Sequence, residues 1–246
     1  MEKLTDVLFL IVARSGSKGV PNKNIKNLNT LPLLAYRIKS ANAISNVEHI
    51  WLSTDSQDYC DIALQYHVTI PFLRPISLSD DHSSSIDVVL HAMNHAKILG
   101  LKYNFIALLE PTSPFVYAHD LYKAIQQLRN SEEAKAIIAT KIVETKSMFI
   151  QPESKYLDFL ALKLESLKST RRQDITSEIT PSGGFYISKW NDFLKENTFY
   201  TEKSLSYILP EESSLEIDNP LQFAFADFLI EKQIIEPHKI FNYNDE

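Results

Sequence analysis

The chain is poor in the residues that build cross-links and the common phosphate loops: one cysteine and five glycines in 246 residues. Cys60 has no partner for an intrachain disulfide, which fits a reducing, cytoplasmic setting. The longest apolar run near the start, Val7 to Ala13, has seven residues, against roughly 20 for a bilayer crossing. No charged start with a small-residue cleavage site precedes it, so neither a membrane span nor a signal peptide is expected. GxxxxGK[ST] and GxGxxG are both absent, which excludes the P-loop and the dinucleotide fingerprint. So are HExxH, GxSxG and any Cys/His signature, which leaves no hint of a covalent nucleophile or a histidine-held metal. His91 and His95 have the i, i+4 spacing, but Ala92 follows His91, and both are expected in solvent. A surplus of basic charge is missing too: the formal net charge is −6, which argues against a nucleic-acid partner.

What is present fits one α/β domain. Apolar residues make up 44% and charged residues 23%, enough for a core at this length. VLFLIVA (7–13) has the continuous apolar character of a strand covered on both faces. Further strand-like stretches are HIWLS (49–53), VTIPFL (68–73), NFIALL (104–109), AIIAT (136–140), GFYIS (184–188) and SYIL (206–209). Helical patterns lie between the earlier ones, from about Pro32 to Ala43, on Ile86, Val89, Leu90 and Met93, and on Leu121, Ala124, Ile125 and Leu128. Pro32 suits the first turn of its helix. The alternation implies a mainly parallel sheet. A last helix is expected after Asn219 as cap and Pro220 at its first position, with Leu221, Phe225, Phe228 and Leu229 on one face. Between about Val143 and Pro181 the pattern fails, and the segment is read as an insertion, either an arm that packs on a second subunit or an irregular surface excursion.

The chemistry concentrates after the first strand. RSGSKGVPNKN (14–24) combines Gly16 and Gly19, which allow close backbone approach, with Arg14, Lys18 and Lys23. In an open α/β sheet this is a favoured ligand position, and a triphosphate suits it. A solvated basic loop is the alternative.

ARSGSKGVPNKN (13–24) resembles the opening motif of the CMP-sialic acid synthetase, or acylneuraminate cytidylyltransferase, family, and four later segments follow in that family's order. The resemblance implies a Rossmann-like nucleotidyltransferase fold, with a mainly parallel central sheet flanked by helices. It implies a single domain over 1–246, with an inserted dimerisation arm at about 143–181 and a homodimer. It also implies CTP as substrate, with Arg14 and Lys18 on the phosphates, Lys23 at the α-phosphate and Asn24 at the nucleoside.

LSTD (52–55) ends a strand as the family does, although helix capping explains Asp55 equally simply. LRPISLSDDHSSS (73–85) is similar to the loop that meets cytosine, mapping onto Arg74, Ser84 and Ser85; alone it would be an N-cap cluster. LLEPTSPFV (108–116) resembles LQPTSPLR at the sugar acid. There Glu110 stands for glutamine and Val116 for arginine, and a carboxylate repels the sugar's own unless protonated or paired with a cation. In TRRQDITSEITPSGGFYI (170–187), Arg172 and Tyr186 match sugar-site residues, whereas Thr180 and Ser182 replace an arginine and an asparagine, so one cation is lost. Phe199 and Tyr200 align with an aromatic pair at the N-acyl group, a pairing that core packing also produces. SLEIDNP (214–220) is similar to SIDIDTP, whose acids hold Mg2+. If the segment is a strand, Glu216 and Asp218 face one side; the alternative gives Asp218 a capping role. The resemblance thus implies transfer of CMP from CTP to a nine-carbon 2-keto sugar acid of the N-acetylneuraminic type, with release of pyrophosphate. Activation of a legionaminic, pseudaminic or octulosonic acid is a further reading, as is a noncatalytic nucleotide-binding partner in glycan synthesis.

Overall fold

The computed structural model describes residues 2–16, 19–80, 83–144 and 177–243. Its centre is a six-stranded sheet in the order β4-β1-β5-β7-β6-β8, built from β1 (Val7–Val12), β4 (Ile50–Ser53), β5 (Phe105–Leu109), β6 (Ala136–Glu144), β7 (Ser177–Lys189) and β8 (Ser204–Ile208). β1 pairs in parallel with β4 and β5, and β6 with β8, while β7 runs antiparallel between β5 and β6. A two-stranded ribbon, β2 (Asn27–Leu28) and β3 (Leu31–Pro32), follows the first loop.

The apolar run of β1 is explained by burial on both faces. Val7, Phe9 and Ile11 enter a cluster with Leu34, Ile38, Leu121 and Ile125, from α1 (Leu33–Ile44) and α4 (Ala118–Arg129). Leu8 and Leu10 enter the opposite cluster with Val89 and Met93, from α3 (Ser85–Ile98). Successive residues of one strand therefore serve two cores. A third cluster joins Tyr36 and Phe115 to α6 (Pro220–Glu231). The shorter helices are α2 (Gln57–Leu64), α5 (Trp190–Glu196) and α7 (Pro237–Ile240). Among the described residues no helix is long and apolar enough to cross a membrane.

Four expectations are corrected. VTIPFL (68–73) is no strand: Thr69 makes an isolated bridge to Trp51, and Pro71 has no N–H to continue the ladder. Pro32 is the N-cap of α1 rather than a first-turn residue. In α6, capped by Asn219 in a reciprocal box with Gln222, the buried residues are Phe223, Ala226, Leu229 and Ile230, whereas Leu221, Phe225 and Phe228 are exposed. His91 and His95 are half-buried, with rings 4.5 and 4.9 Å from that of Phe72. Of the segment read as an insertion, residues 145–176 lie outside the described residues. Its two ends continue β6 and β7, with Ile142 opposite Ile179 and Val143 opposite Glu178.

The parallel strands on either side of β1 open a crevice beyond their carboxyl ends, into which Ala13, Thr54 and Glu110 lead. Because β7 is antiparallel, its first half rises to the same end. Pairing there jumps from Ile138 opposite Tyr186 to Thr140 opposite Pro181, so Ser182–Phe185 form a bulge beside the crevice.

Candidate functional site

The crevice holds a cavity of about 460 Å³, lined among others by Arg14, Lys23, Asn24, Arg74, Glu110 and Asp218. The first loop is folded back on itself: Asn24 Nδ2 donates to the Arg14 carbonyl at 3.2 Å. Lys23, 9% exposed, donates to the Ile217 carbonyl at 2.6 Å and to Asp218 Oδ1 at 3.1 Å. Gly19 lies so close that an added Cβ would stand 2.1 Å from the Asp218 carbonyl oxygen. The cationic loop and the acidic turn near the far end of the chain are thus neighbours. Lys18 lies outside the described residues.

A second part of the cavity wall is built around Arg74. Its N–H donates to Thr54 O at 2.8 Å, its Nε to Ser79 Oγ at 3.0 Å, and its buried terminal Nη2 has no hydrogen-bond partner, 3.8 Å from Asp55. Burial draws the guanidinium below its ordinary range, Asp55 acts against this, and Arg14 adds to it. Asp55 is not a helix cap, since Ser56 fills that role for α2. Its carboxylate accepts from Ser15 N at 2.9 Å and Ser15 Oγ at 2.7 Å. Burial alone would raise the Asp55 carboxyl, but the two Ser15 bonds and Arg74 bring it below the usual carboxylate value. Ser83 and Ser85 line the cavity. Ser84 is the N-cap of α3, accepting from Ile86 N at 3.0 Å, so its role is the one that capping chemistry assigns.

A third part of the site is acidic. Glu110 follows β5, and its carboxyl is pushed up to about 7 by burial and by the charges of Glu216 and Asp218, with Lys23 and Arg37 opposing. A carboxyl raised this far is partly protonated near neutral pH, and in that form it can donate a hydrogen bond as an amide does. Glu216 and Asp218 lie in a loop between β8 and α6 rather than in a strand. Both act on Glu110, and Ile217 between them is fully buried with its N–H fixed to Thr112 O at 2.8 Å. Glu216 is ion-paired with Lys141 of β6 at 2.9 Å. Burial, then Glu110, Tyr200 and Glu216, raise the Tyr186 hydroxyl, which is hydrogen-bonded to Tyr200. Phe199 is a core residue, 3% exposed and 4.6 Å ring to ring from Phe193, while Tyr200 is exposed. Arg172 lies outside the described residues.

Three participants have no signature in the sequence. Arg37 is fully buried in α1 and donates to the carbonyls of Val116 at 3.2 Å and Gly184 at 2.9 Å. Burial pulls it down to about 9, with Glu110 acting against, so it stays a cation at neutral pH and braces the loop after β5 against β7. Its only signal is a cation two residues before Lys39 in a helix whose first half is otherwise apolar. Lys141 and Gly183 are brought in by strand pairing alone.

Among the described residues no three of His, Cys, Asp and Glu gather into a metal cage. Mg2+ does not require one, since it takes one or two carboxylates together with substrate phosphates. Hard oxygen donors of Glu216 and Asp218 fit it, and the repulsion these acids exert on Glu110 is of the kind a divalent cation relieves.

The chain matches the cytidylyltransferase family over residues 8–205. It is 32% identical to the N-acylneuraminate cytidylyltransferase of Escherichia coli O18:K1:H7 over 229 residues, 93% of this chain and 53% of that protein, so it spans about half of that relative's length. With the CMP-N,N'-diacetyllegionaminic acid synthase of Legionella pneumophila it shares 28% identity over 92% of this chain and 96% of that protein. The solved structure of a CMP:2-keto-3-deoxy-manno-octonic acid synthetase complexed with CTP superposes with a TM-score of 0.63 at 12% identity, covering 93% of this chain and 100% of that one. That identity speaks for a common fold. With the family match spanning the first loop, the wall around Arg74 and the bulge of β7, the chain belongs to the cytidylyltransferase family.

Proposed function

We propose that this protein transfers CMP from CTP to a 2-keto sugar acid of the sialic acid type and releases pyrophosphate. The observation that carries the reading is Lys23, whose ammonium joins the cationic loop to the acidic turn at Ile217 and Asp218. A triphosphate lying along Arg14 and Lys23 then meets both its neutralising cations and the carboxylates suited to Mg2+. The acceptor's anomeric hydroxyl attacks the α-phosphate, and the bond to pyrophosphate breaks in line. Such a reaction depends on positioning and charge neutralisation. Arg14 and Lys23 hold the phosphates and take up charge moving to the leaving group. Arg74, with its unpartnered buried Nη2, offers a donor to the cytosine edge. Mg2+, when held by Asp218 and Glu216, would shield the phosphate oxygens.

The family relatives named for neuraminic and legionaminic acids support a nine-carbon acceptor. Glu110, where a partly protonated carboxyl replaces an amide, keeps the legionaminic type as close a fit as N-acetylneuraminic acid. The test is pyrophosphate release by purified protein given CTP, Mg2+ and a panel of keto-sugar acids. CTP-dependent release with at least one acid is expected, and Lys23→Ala should lower that turnover by about 100-fold or more while the melting temperature stays within a few degrees. Silence across the whole panel, or near-normal turnover in the variant, would reject the reading.

A further inference from the structure

Glu216 Oε1 accepts from Lys141 Nζ at 2.9 Å, and its Oε2 turns to the bulge of β7, 3.1 Å from where a side chain at Gly183 would begin. Glu110 Oε2 and Ser113 Oγ crowd the same point at 2.8 and 2.9 Å. Ser113 and Ser182 are each 1% exposed, and neither hydroxyl has a hydrogen-bond partner. Buried hydroxyls left unpaired in this way mark a wall shaped for a polar guest. A keto-sugar acid brings its own carboxylate there, and Glu216, together with whatever fraction of Glu110 is ionised, repels it.

The cations described around these acids differ in what they can still do. Lys23 holds the acidic turn at Ile217 and Asp218 and is given to the phosphates in the reading above, and Arg37 is sealed in the core on two backbone carbonyls. Lys141 keeps its side chain 31% exposed. It stands opposite Thr180 in the β6–β7 pairing, on the same face as the residue that begins the bulge.

We propose that Lys141 binds the carboxylate of the acceptor, with Glu216 holding its ammonium in position. The proposal rests on the keto-sugar-acid reading above. An ammonium has three donors, so one can stay on Glu216 while others meet the incoming carboxylate. Lys141 thereby supplies the positive charge that Thr180 does not, from the neighbouring strand, and selects acids over neutral sugars without taking part in CTP binding.

The experiment compares wild type, Lys141→Gln, Lys141→Arg and Glu216→Gln. Each is assayed by pyrophosphate release with the keto-sugar acid that wild type uses best and with the methyl ester of that sugar, and CTP affinity is measured separately by calorimetry. Lys141→Gln should raise KM for the acid by about 10- to 100-fold and leave CTP affinity within twofold. The acid-to-ester ratio of kcat/KM should fall towards one, and Lys141→Arg should restore most of it. An unchanged KM for the acid in Lys141→Gln overturns the proposal. So does a loss shared equally by acid and ester and matched by Glu216→Gln, since that pattern belongs to a residue that only holds Glu216. Wild type inactive on every keto-sugar acid overturns the substrate reading, and this proposal with it, whereas an active wild type with an indifferent Lys141 overturns the proposal alone.

Discussion

The side of the cleft assigned above to the nucleotide is assembled from cations on loops that follow β1 and α2, whereas the side assigned to the acceptor is assembled from carboxylates of two distant parts of the chain, set beside the bulge of β7. Arg14, Lys23 and Asn24 lie within eleven consecutive residues, and their geometry is set mainly by the local Asn24–Arg14 bond, with one longer tether from Ser15 to Asp55. Glu110, Gly183 and Glu216 meet only because β7 runs antiparallel beside β5 and carries a bulge. The first side needs a turn to exist; the second needs the whole sheet. Lys23 and Gly19, both pressed on Asp218, are where the two are joined.

The largest effect is expected from separating them. In Gly19→Ala the new Cβ would lie 2.1 Å from a backbone oxygen of Asp218, a distance no real contact tolerates, so the loop must swing off the acidic turn. Turnover should fall by about 100-fold or more, because a displacement on the order of 1 Å is that costly to aligned groups. Melting should change less than turnover, since Val20, the buried apolar residue of the loop, stands outside the three core clusters. Stopped-flow or steady-state pyrophosphate release decides it, and a variant with wild-type kcat would mean that the close approach is irrelevant to catalysis.

Next comes the acid cluster itself. The Glu110 carboxyl is raised from 4.5 to about 7, so the unfolded chain ionises it at lower pH than the folded one. The resulting penalty on the fold begins above the unfolded value and is complete once pH exceeds about 7. Glu110→Gln removes it. In chelator, the variant should gain on the order of 2–3 kcal/mol near pH 8 and little near pH 5, read as a melting-temperature difference that grows with pH. A pH-independent difference would show that the Glu110 carboxyl is not raised, either by burial or by Glu216 and Asp218.

This contrast also explains what was legible beforehand. The strand, loop and capped last helix were legible because each is encoded by neighbours in sequence: an apolar run, a cluster of glycines and cations, and Asn219-Pro220. The hidden parts depend on tertiary partners. The buried face of α6 was misread since the helix is apolar on more than one side, and packing against Tyr36 and Ile217 chooses Phe223 over Phe225. Asp55 looked like a cap because its Ser15 partner is 40 residues away. Glu216 and Asp218 read as alternating strand positions but lie in a loop around a buried Ile217. Lys141 and Arg37 carry no motif, as strand register and helix packing are not written in any short segment.

Within the nucleotide side, Asp55 sharpens the comparison. Asp55→Ala frees Ser15 N and removes the charge facing Arg74, loosening phosphate loop and base pocket together. KM for CTP should rise by about 10-fold, the loss of one or two hydrogen bonds to a charged group, with KM for the sugar acid unchanged. An equal rise in both would place Asp55 in the general scaffold rather than on the nucleotide side.

The smallest effect separates capping from recognition in the serine run. Ser84 accepts from Ile86 N and caps α3, while Ser85 lines the cavity. Ser84→Ala should therefore cost about 1 kcal/mol of stability, the usual value of an N-cap, and leave KM for CTP within twofold. Ser85→Ala, on a residue with no cap to lose, should reverse the pattern, with little change in melting and a weaker grip on CTP. If Ser84→Ala instead raised KM for CTP at constant stability, the start of α3 would be binding the nucleotide through its cap residue, and the division of labour between these two adjacent hydroxyls would have to be exchanged.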